Sequence, residues 1–222
     1  VANALTSTRL KIARLLQREG EATVESLATW IGLASATVRR HLDILQRDGL
    51  VDFEEVRRGT GRPEHSFRLS ELGHEALPKA YDRLLSLLLR EISLLERGAL
   101  DQKGGAEILR SLFKGMARTL AASYPVPRGG SIEDRLSVLL NALEDVGYSP
   151  EMRRGEGYIV VLVHNCPFRS VAREIDGACL FDQEFMSTML GTPVERTHSI
   201  AQGETSCCHR VDDRYGPSTE PR

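Results

Sequence analysis

Cysteine is absent from residues 1–165, and the four that occur, Cys166, Cys179, Cys207 and Cys208, fall in one C-terminal segment from His164 to His209. A chain of 222 residues that is 41% hydrophobic has enough material for a core without disulfide staples, so a thiol set at one end points to chemistry. Charge of one sign is lacking too. With 29 Lys and Arg against 31 Asp and Glu, the formal net charge is -2, which gives no global nucleic-acid signature. DNA binding would have to rest on a local arrangement of arginines. Long apolar runs are missing: the stretches Tyr158 to Val163 and Leu84 to Leu89 are too short to span a bilayer. The N-terminus has no basic region followed by an apolar one. A cytoplasmic protein without a membrane partner is therefore expected, and in that reducing setting clustered cysteines read as metal-binding or redox-active before they read as disulfides. No phosphate-binding loop, zinc-protease helix motif or dinucleotide glycine pattern occurs. Cys166 and Cys208 each lie near a histidine, but neighbours on a strand face apart, so a nucleophile and base pair is not expected and neither is catalysis.

What is present begins with three short helical patterns. Leu10, Ile12, Leu15 and Leu16 form a helical stripe closed by Gly20. Thr23 is a candidate N-cap for a helix carrying Val24, Leu27 and Ile31 and ended by Gly32; Ser26 stands where a capping box needs Glu or Gln. Ser35 opens a third helix with an apolar face of Val38, Leu42, Ile44 and Leu45 and a polar face of Thr37, Arg39, Arg40 and His41, ending at Gly49. Two short helices joined by a tight turn, the second basic on its outer face, predict a helix-turn-helix whose second helix enters a major groove. Leu50 to Val56 and Phe67 to Leu69 have strand composition and flank Arg57-Arg58-Gly59-Thr60-Gly61-Arg62-Pro63. That reads as a β-wing, with Arg57, Arg58 and Arg62 supplying guanidinium forks for phosphate or the minor groove. Taken singly, Arg39 and Arg40 could be a solvated helix face and His41 a packing residue; the order helix, helix, recognition helix, wing favours contact with double-stranded DNA.

Pro78 punctuates the chain, and from Tyr81 onward Tyr81, Leu85, Leu88, Ile92 and Leu95 recur at spacings of four, three, four and three. Leu84, Leu87 and Leu94 widen that face, and Leu109, Leu112, Phe113, Met116 and Leu120 repeat it in the next helix. Residues 78–124 are thus expected to be a helical dimerisation region, with an intramolecular helical layer as the alternative. A linker at Pro125 to Gly130 marks the expected boundary between it and a sensor domain over 131–213, with a tail over 214–222. Ser131 caps a helix bearing Leu136, Leu139, Leu140 and Leu143; Met152 to Arg154 and Tyr158 to Val163 read as a hairpin. Helices over 170–174 and 178–190 and strands over 193–201 and 206–211 complete an α+β arrangement. The whole chain is predicted as a winged helix-turn-helix over 1–77, central helices, and a small mostly antiparallel sheet with helices on one side. Cys166 leaves the buried strand, Cys179 starts a helix twelve intervening residues later, and Cys207 and Cys208 follow after twenty-seven and twenty-eight. Adjacent residues on a strand point to opposite faces, so only one of Cys207 and Cys208 is expected to share a site with the other thiols.

The N-terminal segment, Ser35-Ala-Thr-Val-Arg-Arg-His-Leu, then Gly49-Leu-Val and the Arg-Gly-x-Gly-Arg-Pro wing, resembles the winged-helix bacterial regulators of the broad ArsR/DeoR-like class. With His164-Asn-Cys166-Pro-Phe168, Cys179, Leu190-Gly191-x-Pro-Val194-Glu195, and Gln202-Gly203 followed by Cys208-His209, the chain resembles the SufR family, iron-sulfur-responsive homodimeric repressors of the SUF cluster-assembly operon. That resemblance implies an iron-sulfur cluster, expected to be 4Fe-4S, held by Cys166, Cys179 and Cys208, with Cys207, His164 and His209 as alternates and Glu204 or an external thiol or water also open for the last iron. Some members carry a further cysteine between the second and last, which this chain lacks before Cys207. Zinc is the rival ligand, although compact C-x-x-C pairs are missing. Metal-free thiol redox sensing, and cysteines that are merely small buried hydrophobes, are the other readings.

Overall fold

The computed structural model describes residues 5, 7–56, 64–96, 103–126, 130–175 and 177–212. The chain divides into two compact units, Val1–Pro78 and Lys79–Arg222.

In the first unit, α1 (Ser7–Glu19), α2 (Val24–Ile31) and α3 (Ser35–Arg47) pack around Ile12, Leu16, Leu27, Val38, Leu42 and Leu45, all fully or almost fully buried. Thr23 caps α2 as its chemistry predicts, its hydroxyl accepting the Ser26 N–H at 3.2 Å. Gly32 closes α2 in the left-handed region at φ 74°, which lets the chain turn into α3 within three residues. Ser35 is the first residue of α3 rather than its cap; Ala34 holds that position without a side-chain hydrogen bond. Strands β2 (Val51–Val56) and β3 (Glu64–Leu69) pair antiparallel up to Val56 opposite Glu64, giving the two stems of the wing. A third strand, β1 (Glu21–Thr23), pairs antiparallel with β3, Ala22 opposite Phe67; it has no signature in sequence because three residues show no alternation. After β3, α4 (Glu71–Ala76) lies so close to the start of β2 that a Cβ at Gly73 would meet the Leu50 carbonyl oxygen at 2.1 Å.

The second unit holds α5 (Tyr81–Ser93), α6 (Gly105–Ala121), α7 (Ile132–Asp145), β4 (Pro150–Gly155), β5 (Tyr158–Val163), α8 (Arg169–Glu174), α9 (Leu180–Leu190), β6 (Val194–His198) and β7 (Cys207–Asp212). Its sheet runs β4-β5-β7-β6 with every neighbour antiparallel. Ser131 caps α7 in a reciprocal capping box with Asp134, whose carboxylate accepts the Ser131 N–H at 2.9 Å. One apolar core spans Leu84 of α5, Phe113, Met116 and Leu120 of α6, Leu139 and Leu143 of α7, Phe181, Phe185 and Met189 of α9, and Ile159, Val161 and Val163 of β5.

That core includes residues on both sides of the linker expected at Pro125–Gly130. The apolar stripe of α6 packs on α9, and the two helices are bridged from Arg118 Nε to Glu184 Oε1 at 2.7 Å. Helices α5 and α6 belong to the same compact unit as the sheet. Polar ties fix α5 as well. The Thr119 hydroxyl donates to Glu91 Oε1 at 2.7 Å, and Arg83 Nη1 donates at 2.9 Å to the Tyr124 hydroxyl, which donates to Asp145 Oδ2 at 3.0 Å.

Candidate functional site

Two groups of residues carry the chemistry, one in each unit. On α3 the buried line Val38, Leu42, Leu45 turns the opposite face outward, where Ser35, Thr37, Arg39 and Arg40 are exposed and His41 is half-buried. Successive helical residues are about 100° apart, so Arg39 and Arg40 leave α3 on different flanks. A cleft of about 530 Å³ runs along one of them, lined by Arg9 of α1 and by Ala36, Thr37, Arg40, His41 and Ile44 of α3. Arg9 carries no signal in sequence; only the packing of α1 on α3 brings it to this face. Arg57, Arg58 and Arg62, expected at the wing tip, lie outside the described residues.

In the second unit the sheet decides what the cysteines face. Ile159, Val161 and Val163 of β5 stand opposite Val211, His209 and Cys207 of β7, and all six are buried on the side covered by helices. Cys207 therefore shares the inner face, whereas Cys208, opposite Leu162, is half-buried on the other face. Cys166 follows Val163 by three residues at the same end of the sheet and is buried. Cys179 is the N-cap residue of α9, with its carbonyl held by Arg196 Nη1 at 2.6 Å. The Cys207 sulfur accepts the Ile200 N–H at 3.3 Å.

Around these thiols the interior is polar and incompletely paired. Asp182 of α9, 3% exposed, lies 3.3 Å from His209 Nε2 and 3.6 Å from Arg196 Nη1. Among the described residues neither ring nitrogen of His209 makes a hydrogen bond, and neither does the buried Tyr148 hydroxyl. Buried polar groups ordinarily have hydrogen-bond partners, and the Tyr148 hydroxyl departs from that here, while His209 meets Asp182 at ion-pair distance. Burial, reinforced by the charges of Cys166, Asp182, Cys207 and Cys179, pushes the Tyr148 phenol well above its ordinary range. The same influences act on the thiols: burial, then Asp182, drives Cys166 well up and Cys207 up to about 11. Bare thiols of that kind keep their protons and are poor nucleophiles.

His164 is engaged elsewhere, its Nε2 lying 3.2 Å from Glu151 Oε2 on β4. Among the described residues no three His, Cys, Asp or Glu side chains close on a point that would hold a single metal ion. A tetrahedral ion with sulfur ligands at about 2.3 Å needs those sulfurs about 3.8 Å apart, whereas a polynuclear group is gripped from wider positions. Thiols and imidazoles are the donor types that hold an iron-sulfur group. Residues that the sequence reading missed are Tyr148, a lone tyrosine in a loop, and Asp182, an acidic residue that looks like ordinary helix surface. The nearby thiols were a signal for neither.

No helix of the described residues is long and apolar enough to cross a membrane. Residues 6–52 match the model of the bacterial regulatory protein, arsR family. No curated protein and no solved structure matches the chain. The matched stretch holds α1, α2 and α3 and ends as β2 begins, so the N-terminal unit is an arsR-type helix-turn-helix with a wing built after it, and the chain is a DNA-binding transcription regulator.

Proposed function

We propose that this regulator is a homodimeric repressor of iron-sulfur cluster assembly genes, and that binding to its operator is switched by an iron-sulfur cluster held in the C-terminal unit. The observation that supports the reading is that thiols from three separate elements, Cys166 after β5, Cys179 before α9 and Cys207 on β7, all act electrostatically on the buried Tyr148 phenol, whose hydroxyl makes no hydrogen bond among the described residues. Face alternation favours Cys207 over Cys208 as the third ligand. The cluster would supply charge and covalent bridging between those three elements. The chain's own part is to present three sulfurs, and to aim Tyr148 and His209 at the group or its thiolates from a dry interior. His209, 3.3 Å from Asp182, is a non-thiol donor on the same face of β7 as Cys207.

Dimerisation is supported by α5. Tyr81, Leu85, Leu89 and Ile92 lie along one face and are 49%, 55%, 57% and 45% exposed, an apolar stripe held on a helix that is otherwise fixed to its own unit. A second copy is the occupant that suits a DNA reader, since it brings a second recognition helix to a two-fold operator. Zinc remains the second reading of the thiols, favoured by their Cys and His chemistry and disfavoured by the lack of compact C-x-x-C pairs.

The test is an anaerobic visible spectrum with iron, sulfide and zinc analysis on the wild type and on C166S, C179S, C207S and C208S. Absorbance near ~400 nm with iron and sulfide, lost in the first three variants and kept in C208S, is expected. Retention in C207S with loss in C208S would reverse the assignment of the third ligand, and a colourless protein with zinc or no metal would remove the cluster.

A further inference from the structure

We infer that the Tyr148 hydroxyl is a hydrogen-bond donor reserved for the filled site, unpaired in the metal-free protein and donating to an anionic sulfur once the cluster is held, an assignment that rests on the cluster reading above. Tyr148 lies between α7 and β4, where its own N–H donates to the Leu143 carbonyl at 3.0 Å. The Gly147 carbonyl before it accepts the Asn165 side-chain amide at 2.6 Å, and the Ser149 carbonyl after it accepts the His164 N–H at 3.0 Å. His164 and Asn165 are the two residues that lead into Cys166. The same pair of hydrogen bonds therefore positions the tyrosine and the first cysteine relative to each other.

The tyrosine is only 5% exposed, yet its hydroxyl has no hydrogen-bond partner among the described residues. The Tyr124 hydroxyl in the same unit, by contrast, is paired with both Arg83 and Asp145. A buried hydroxyl left unpaired destabilises the fold, so it favours any state that brings it an acceptor. The charges that act on Tyr148 come, in order, from Cys166, Asp182, Cys207 and Cys179, and three of those four are sulfurs. A thiol is a weak acceptor, whereas a thiolate makes short charge-assisted hydrogen bonds. Two main-chain donors already serve this set: the Phe168 N–H is bonded to the Cys166 sulfur and the Ile200 N–H to that of Cys207. Tyr148 adds a side-chain donor to them. A hydrogen bond to sulfur stabilises the more negative, reduced state, which raises the potential of an iron-sulfur group, and such outer donors hold ligands in place.

Wild type, Y148F and Y124F are compared as full-length proteins, metal-free and after anaerobic reconstitution with iron and sulfide. Y148F removes a hydroxyl that the metal-free fold leaves unpaired, so metal-free Y148F is expected to melt at or above the wild-type temperature, while Y124F, which breaks the ties to Arg83 and Asp145, melts lower. After reconstitution, Y148F is expected to show a lower reduction potential by spectroelectrochemistry and to lose iron to a chelator roughly tenfold faster, with Y124F matching wild type in both. A Y148F protein with wild-type potential and cluster lifetime overturns the donor assignment. So does a metal-free Y148F that melts as far below wild type as Y124F, because its hydroxyl is then paired in the empty protein. A wild type that takes up no iron and sulfide overturns the cluster reading and this inference together.

Discussion

Cys207 and Cys208 are chemically identical neighbours, yet burial separates them completely. Cys207 is turned inward against Val163 and the Ile200 N–H, with its thiol near 11, and Cys208 is turned outward beside Leu162. An alkylating reagent needs both access and thiolate. In metal-free protein at about pH 8, brief treatment with iodoacetamide should therefore label Cys208 well before Cys207 or Cys166, as read by peptide mass spectrometry. Because a raised pKa keeps the proton on until the pH climbs towards it, labelling of Cys207 should rise only as the pH approaches 11. Equal labelling of the two neighbours at pH 8 would mean that the inner face is open. Gly73 shows a different residue-scale constraint. Its missing Cβ is what lets α4 lie on the start of β2.

At the scale of elements, α5 is the helix whose role depends on its surroundings. Its inner residues, Leu84 with Leu87 and Leu88, join the core, while Leu85 and Leu89 remain on the opposite side. The close passage of Glu91 over Gly115, where a Cβ would meet the carboxylate at 2.1 Å, fixes the helix so that its outer stripe is presented in one orientation. Replacing Leu85 and Leu89 by Glu puts two charges into the stripe without touching Leu84. Sedimentation should then show a dimer in wild type and a monomer in the double variant, with helical content unchanged; a variant that still sediments as a dimer would place the interface elsewhere. Desolvating an unpaired carboxylate at such an interface costs several kcal/mol, enough to abolish association of ordinary strength.

At the scale of the molecule, the proposed function requires the C-terminal unit to bias how two recognition helices are presented. Any ligand does that only through a difference in affinity between the DNA-competent arrangement and the others. Cys166, Cys179 and Cys207 leave three different elements, so a group bridging them ties β5, α9 and β7 together, and α9 in turn is packed on α6. Gel-shift titration of promoter DNA from iron-sulfur assembly genes should give tighter binding by cluster-loaded dimer than by apoprotein. A coupling of about 1–3 kcal/mol corresponds to a ratio of roughly 5–150. Identical affinities would leave a regulator that binds DNA without sensing through this site.

Much of the chain was legible from residue patterns alone. The stripe of Val38, Leu42 and Leu45 with Arg39 and Arg40 outside it, and the glycine at position 32, specify the helix-turn-helix, because helix period and turn chemistry are local properties. The capping serine at 131 and the apolar run over 158–163 likewise specify their elements. What the sequence could not carry is phase and partnership. Alternation states that Cys207 and Cys208 face apart, but only the pairing of β7 with β5 and the helices lying on one side decide which of them points in. Strand β1 exists because β3 offers it hydrogen bonds, and α6 shares one core with the sheet because its apolar stripe packs on α9. Arg9 lines the same cleft as Arg40, and Tyr148 and Asp182 lie near the thiols, through packing between residues far apart in the chain, which is fixed by burial of apolar faces rather than by any local signal.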